Sequence, residues 1–309
     1  MPEVSSLEAP PVTAIVPTRD RPLLLERAVG SILSQRYPGR LDCLIVFDQQ
    51  DPRVPDVPVP EGRTLRATSN RRTAGLAGAR NTGALDTDAD LIAFCDDDDE
   101  WLPDKLRLQV EALMAHPDAP LATCGIRVRY ERRAIARVPH ERLITLDALL
   151  RSRRMEVHSS TLVLRRDAFV GEIGFVDEEI PGSYGEDYDL LLRAAHVGPL
   201  VSVPRPLVDV HWESSFFSDR WQTIVPALEY QLRKHPELRR HPRNLSRMLG
   251  RMAFAYAASG QAGDARRWAR RSIRLDWRQP RGYLAYLITA GLLKPATVAR
   301  VANSLGKGV

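Results

Sequence analysis

Five consecutive carboxylates, Asp96-Asp97-Asp98-Asp99-Glu100, follow the apolar run Leu91-Ile92-Ala93-Phe94 and precede Trp101. Like charges ~4 Å apart cost about 4 kcal/mol per pair at an effective dielectric of ~20, before screening. A run of this kind at the end of a buried strand calls for positive charge, and a divalent cation, itself bound to a diphosphate, is the candidate. A solvated acidic loop is the alternative. On extended chain Asp96 and Asp98 point the same way, about 6.6 Å apart at ~3.3 Å per residue. That is too wide for both to grip one ion unless the chain turns. The spacing suits Asp98 as a direct ligand of Mg2+ or Mn2+, with Asp96 acting through water or on a ribose hydroxyl. Asp97 and Asp99 would then face away, as helix caps or outer groups.

The flanking segments place this run. Val12–Val16 is β-rich and stops at Pro17, and Pro22 opens a helix carrying Leu24, Ala28, Ile32 and Leu33 on one face. Leu41–Phe47 reads as a second strand ending at Asp48, a Pro-rich loop follows, and residues 64–68 form a third. Small residues open a helix at Gly75–Gly83, and Pro103 opens another with Leu106, Val110 and Leu113 inward. This alternation predicts an α/β fold with a mainly parallel sheet covered on both faces. Thr18-Arg19-Asp20, Asp48 and the acidic run then share the strand-end edge where such sheets bind ligands. Further strands are expected at 121–130, 159–164 and 207–210, with a loop over 182–189 entering a helix. Beyond Trp221 the pattern is helical, and 247–259 with 261–275 resembles one tetratricopeptide-type hairpin.

Composition bounds the rest. The chain has 309 residues, and 44% are hydrophobic and 27% charged, which is ordinary for a globular protein. No apolar run reaches the ~18 residues of a membrane span. The first eleven residues lack a basic segment followed by an apolar one, so no secretion signal is expected. Cys43, Cys95 and Cys124 lie in apolar runs and read as buried thiols, in keeping with a cytoplasmic location. Residues 222–309 hold 17 Lys+Arg against 4 Asp+Glu, a net +13, and the remainder is −8. That break sets an expected domain boundary: 1–221 and a basic helical unit, 222–309. Its excess charge sits in helices without interleaved aromatic stacking platforms, so no nucleic-acid partner is expected.

Taken in order, Val12–Arg19, Asp48, Gly75–Gly83 with its Ala-Arg-Asn-x-Gly signature, Phe94–Trp101 with an Asp-x-Asp region, and Gly185-Glu186-Asp187 resemble the family 2 nucleotide-sugar glycosyltransferases of the GT-A fold. The resemblance covers residues 12 to about 215. It implies a Rossmann-like sheet, an inverting transfer from a UDP- or dTDP-type sugar, and Mn2+ or Mg2+ as cofactor. It places Pro17, Thr18, Arg19, Asp48, Arg80, Asp96 and Asp97 on the donor, Asp98 and His211 on the metal, and Asp187 as general base. Other readings remain for several of these: Arg80 could pair with a neighbouring carboxylate, Asp187 could cap a helix, and His211 could be a packed loop histidine. Glu186 and Asp189 are rival bases.

The sequence also departs from that family. Gln49-Gln50-Asp51 stands where a second Asp, then Gly and Ser, are common. Arg220-Trp221 matches the end of a Gln-x-x-Arg-Trp motif, but Phe217 replaces its Gln. Single sugar additions are therefore expected. The acceptor would be a hydroxyl on a glycan, a lipid-linked sugar or a small molecule. The basic helices could meet the inner face of a membrane or a second copy of the chain. A nucleotidylyltransferase is the enzyme rival, disfavoured by the absence of glycine in Pro17–Arg21; a non-catalytic sugar-nucleotide scaffold is the other.

Overall fold

The structure, a computed structural model, describes residues 9–130, 133–211 and 221–304. The order begins with β1 (Val12–Thr18), α1 (Pro22–Leu33), β2 (Leu41–Phe47), β3 (Arg63–Ser69), α2 (Leu76–Leu85), β4 (Leu91–Phe94), β5 (Asp99–Trp101) and α3 (Lys105–Met114). It continues with β6 (Leu121–Tyr130), β7 (Arg133–Arg137), β8 (Leu143–Ile144), α4 (Leu146–Arg151), β9 (Val163–Arg165), α5 (Arg166–Val170), α6 (Glu186–Val197) and β10 (Leu200–His211). Five helices close it: α7 (Trp221–Lys234), α8 (Pro242–Ala258), α9 (Ala262–Leu275), α10 (Pro280–Thr289) and α11 (Pro295–Ser304).

All ten strands join one sheet, with β3-β2-β1-β4-β9-β6-β10-β5 as its spine. β3, β2, β1 and β4 run parallel, β9 opposes its neighbours, and β6 and β10 are parallel again. The pleat explains how both faces are buried. In β1, Val12, Ala14 and Val16 enter one core with α1 and α3, while Ile15 enters the other with α2, α5 and α6. β4 divides likewise: Leu91 and Ala93 face the first core, Ile92 and Phe94 the second. The expected two-sided, mainly parallel sheet is what forms, and the three cysteines are buried free thiols within it.

Three local expectations are corrected. Residues 159–164 are not one strand: Ser159–Thr161 makes a single 3₁₀ turn before β9, because the His158 side chain accepts the Ser160 N–H. The last strand is longer than 207–210, starting at Leu200 where β8 and β6 pair with it. Between β4 and α3 the chain does not stay extended. The Asp99 N–H reaches the Asp96 carbonyl at 3.1 Å, and β5 then pairs with β10, so the helix begins at Lys105 rather than Pro103.

Past Trp221 the described chain is helical, as expected. Its hydrophobic core is continuous with that of the sheet: Ile224, Leu228, Met248 and Met252 join the cluster containing Ile15 and Phe94. A buried polar knot reinforces the contact. Asp189 on α6 meets His235 Nε2 at 2.8 Å, Lys234 Nζ at 2.7 Å and Arg193 Nη2 at 2.9 Å. Residues 212–220, which include Phe217 and Arg220, lie outside the described residues.

The approach of α2 to β1 depends on glycine. A Cβ on Gly83 would lie 2.4 Å from Ile15 Cγ2, whereas one on Gly30 of α1 would meet nothing within 4 Å. Gly83→Ala should therefore cost about 1–3 kcal/mol by overpacking. Gly30→Ala should be neutral or stabilise by up to about 1 kcal/mol. Urea unfolding of both variants measures the contrast, and equal effects would contradict this account of the packing.

Candidate functional site

Strand ends define the floor of a cleft of about 780 Å³. Thr18 ends β1, Asp48 follows β2, and the acidic turn follows β4. All three line the cleft with Pro17 and Arg19, facing Glu186 and Asp187 across it. Asp20, Gln49 and Ser183, also lining it, hold φ of 56°, 57° and 53°. Non-glycine residues in that region cost of order 1 kcal/mol each, a strain often found where binding loops are fixed.

Asp48 is tied down rather than solvated. Its Oδ1 accepts from Asn70 Nδ2 at 2.9 Å and from the Gly75 N–H at 3.0 Å, which joins the end of β2 to the entry of α2. Its Oδ2 lies 3.9 Å from Arg19.

The acidic turn disperses its four aspartates onto different partners. Asp96 Oδ1 accepts from Arg80 at 2.6 Å and Oδ2 from the Ser159 hydroxyl at 2.8 Å. Burial pushes its pKa up, but Arg80, then His158 and Ser159, hold it below the usual carboxylate range. Asp97 accepts from Thr18 Oγ1 at 2.7 Å and from Arg21 Nη1 at 3.3 Å. Asp98 accepts from the same Arg21 at 2.9 Å. Asp99 accepts from Ser160 Oγ at 2.5 Å and lies 3.3 Å from His158 Nδ1. Asp97 and Asp99 are thus cleft groups, not outward-facing caps; the tight turn makes the period-two argument inapplicable. Burial and then the neighbouring aspartates raise Asp98 to about 6 and Asp99 well above its usual value.

That pattern fits a cation site. Ligand atoms of Asp96, Asp99 and His158 lie within 4.8 Å of one another, and Asp98 stands beside them under mutual repulsion. Carboxylate oxygens with one imidazole suit Mn2+ or Mg2+. A divalent ion would relieve the crowding that forces these carboxyls towards protonation. His211, also in the cleft, has Nε2 3.0 Å from Glu100 Oε1.

The opposite wall comes from the start of α6. Arg80, 2% exposed on α2, donates to Glu186 Oε1 at 2.6 Å as well as to Asp96, so it underlies the cleft and joins its two walls. Burial and the adjacent Asp187 carry Glu186 up to about 7 despite that guanidinium. Asp187 differs: burial raises it, but Arg153, whose Nη2 is 2.9 Å from both carboxylate oxygens, holds it below the usual range. Asp189, fully buried in the knot between α6 and α7, does not line the cleft. Arg21, Arg153, His158 and the two serines after it were not among the expected site residues. They are isolated polar residues in unremarkable segments, and only the chain's return past β4 gives them meaning.

Comparison with known proteins bears on the family and the fold. The family model described as glycosyl transferase family 2 matches residues 13–170. A curated relative, the UDP-Glc:alpha-D-GlcNAc-diphosphoundecaprenol beta-1,3-glucosyltransferase WfgD of Escherichia coli, is 28% identical over 105 residues. That match takes in 33% of this chain and 41% of the relative, so the chain spans about two-fifths of its length. Among solved structures, S. aureus TarS in complex with UDP-GlcNAc aligns with a TM-score of 0.61 at 14% identity, over 96% of this chain and 92% of that one. The mannosyltransferase PcManGT from Pyrobaculum calidifontis, in complex with GDP-Man and Mn2+, aligns with a TM-score of 0.56 at 19% identity, over 94% and 87%.

A raised carboxyl pKa opposes cation binding, because the proton must leave first. Affinity for Mn2+ should therefore climb as pH rises through about 6, where Asp98 loses its proton. Asp98→Asn should flatten that climb. Electron paramagnetic resonance of free Mn2+ between pH 5 and 8 tests this, and a pH-independent affinity in the parent chain would contradict the site.

Proposed function

The chain belongs to glycosyl transferase family 2, and from that premise we propose that it moves one sugar from a UDP- or dTDP-type sugar to a hydroxyl acceptor, with inversion and with metal assistance. The observation that carries this reading is the single cleft shared by Asp48, the turn Asp96–Asp99 and Asp187. Pro17, Thr18 and Arg19 run along the nucleotide. Asp48, fixed by Asn70 and Gly75, faces the base, where a carboxylate accepts an imide N–H. Asp96 and Asp97 take the ribose side. Arg80 acts from beneath, setting Asp96 and the start of α6, because its guanidinium is occupied by both. Asp98 would hold the divalent ion beside the cluster of Asp96, Asp99 and His158, with His211 in the same cleft; when bound, that ion would supply positive charge to the leaving diphosphate.

Asp187 takes the proton from the acceptor hydroxyl. The new bond joins the acceptor oxygen to the anomeric carbon as the bond from that carbon to the phosphate oxygen breaks, and the nucleoside diphosphate leaves. One base attacking opposite the leaving group gives inversion. Glu186, although raised to about 7, is 6% exposed and engaged by Arg80, so the more accessible carboxylate is the better-placed base.

We assign transfer to residues 1–221 and acceptor-side support to 222–309. Among the described residues no helix is long and apolar enough to cross a membrane. The basic C-terminal region favours a cytoplasmic enzyme meeting the inner face of a membrane, where a lipid-linked acceptor would be presented. The WfgD relative, whose name gives a diphosphoundecaprenol acceptor and a UDP-linked donor, supports that choice of substrates.

A thermal-shift panel of nucleoside diphospho-sugars with Mn2+ should raise the melting temperature for uridine or thymidine donors above guanosine ones. Asp187→Asn should keep that shift and lose transfer by about 10³-fold or more, in line with removing a general base and its hydrogen bond. Glu186→Gln should lose less. Undiminished transfer by the Asp187 variant would sink the base assignment, and no donor-dependent shift would sink the substrate assignment.

A further inference from the structure

Beside Asp187 the cleft changes sign. Arg153, just after α4, and Arg251, on α8, both line it. Arg247 lies one helical turn before Arg251, and α10 brings Arg281 against the same stretch. A Cβ on Gly250 would come within 3.2 Å of the Arg281 Cβ, so α10 could not seat equally closely on a bulkier α8. Arg153 holds Asp187, Arg247 donates to Ser152 Oγ at 2.6 Å, and Arg251 donates to the Tyr184 hydroxyl and stacks its guanidinium 5.2 Å from that ring.

Among the described partners of Arg153, Arg247 and Arg251, Asp187 is the one carboxylate. The Nε of Arg251 is buried with no hydrogen-bond partner. Burial lowers the pKa of Arg251, and the charges of Arg153 and Arg247 lower it further; Arg281 is pushed down to about 10 by burial and then by Arg251 and Arg247. Arg153, Arg247 and Arg251 thus converge on Asp187 and two hydroxyls, with Glu186 also acting on Arg153, and Arg281 adds a fourth cation beside Arg247 and Arg251. In a chain whose other cleft wall is acidic, this concentration of planar, fork-shaped donors matches a phosphate better than a sugar ring.

We propose that Arg153, Arg247, Arg251 and Arg281 form a subsite for a phosphoryl group carried by the acceptor, which presents the acceptor hydroxyl to Asp187. The inference rests on the transferase reading above and adds the acceptor's chemical class: a phosphate- or diphosphate-linked sugar. It also gives Arg153 a second role. In the free protein it neutralises Asp187; an arriving phosphate dianion competes for that guanidinium and leaves the carboxylate free to take the proton. The base is thereby released only when an acceptor is seated, which guards the donor against water.

Decyl diphosphate, an anion on an alkyl chain without any sugar, probes the subsite by calorimetric titration of the full chain. In EDTA, where no metal can bridge it to the aspartates, it should bind, and Arg251→Gln and Arg247→Gln should each weaken it by about tenfold or more, roughly one charge-assisted hydrogen bond. Arg251→Lys should fall between. Arg247, which donates to the Ser152 hydroxyl and to no carboxylate among the described contacts, is the substitution that leaves folding least disturbed, and circular dichroism checks it. No binding to the parent chain, unchanged binding to the Gln variants, or equal binding of neutral decyl maltoside would each overturn the proposal. A second arm adds UDP and Mn2+. Persisting decyl diphosphate binding supports a subsite apart from the donor, and its complete displacement overturns that. Neither arm reads turnover, so a failure of sugar transfer would be seen separately in the Asp187 experiment.

Discussion

The cleft depends on one buried guanidinium. Arg80 stands under it with Asp96 on one side and Glu186 on the other, each at 2.6 Å. Asp96 belongs to the turn after β4 and Glu186 to the first turn of α6, so the two walls are coupled through a single side chain that neither wall supplies. Removing it would strand buried Glu186 and half-buried Asp96, a loss on the order of 3 kcal/mol. The two ends of the bridge are unequal. Asp96 has Ser159 and His158 as well and stays ionised, whereas Glu186 lies beside Asp187 and is pushed towards neutrality. A guanidinium shared between an anion and a near-neutral acid concentrates its charge on the Asp96 side, the wall read as holding the donor and the ion.

Much of this frame was legible from residue order. The alternation of apolar runs with Pro- and Gly-initiated helices is a local property, and it gave β1, β2, β4, α1 and α2 nearly as they stand. The strand-end placement of Thr18, Asp48 and the acidic run followed from the same pattern, since ligand-facing polar residues sit just past buried strands. What remained hidden depends on contacts distant in sequence. The direction in which Asp97 and Asp99 face cannot be read from strand periodicity, because a turn of four residues cancels it. That turn is held by Ser160, which bonds Asp99 from 61 positions away and the Asp96 N–H from 64 positions away. No local pattern announces such a partner.

The C-terminal helices present the same problem in another form. Their composition, +13 against −8 elsewhere, sets an expected boundary near Trp221. Their apolar residues join the core that contains Ile15 and Phe94, and the Asp189 knot ties α7 to α6. Charge composition reports which surface meets solvent or ligand; it says little about where a core ends. The two kinds of signal part company here because α7 and α8 bury leucine and methionine against the sheet while keeping their arginines for the rim and the cleft.

The distribution of those arginines bears on how the chemistry is ordered. Asp187 is half-buried and desolvation opposes its ionisation, yet Arg153 holds it ionised and at the same time occupies both of its oxygens. A carboxylate in that state is charged but poorly available to an incoming hydroxyl. Glu186 next to it has the opposite defect, a value near 7 but both burial and Arg80 in the way. Neither group is ready in the free protein. The Asp187 pair can be undone by competition for its cation, whereas freeing Glu186 would dismantle the bridge that joins the two walls. On the proposed reading, an anionic acceptor met by Arg251 and Arg247 would resolve the first difficulty without touching the second, and the wall that looks least like catalytic machinery in the sequence would then decide when the base becomes available.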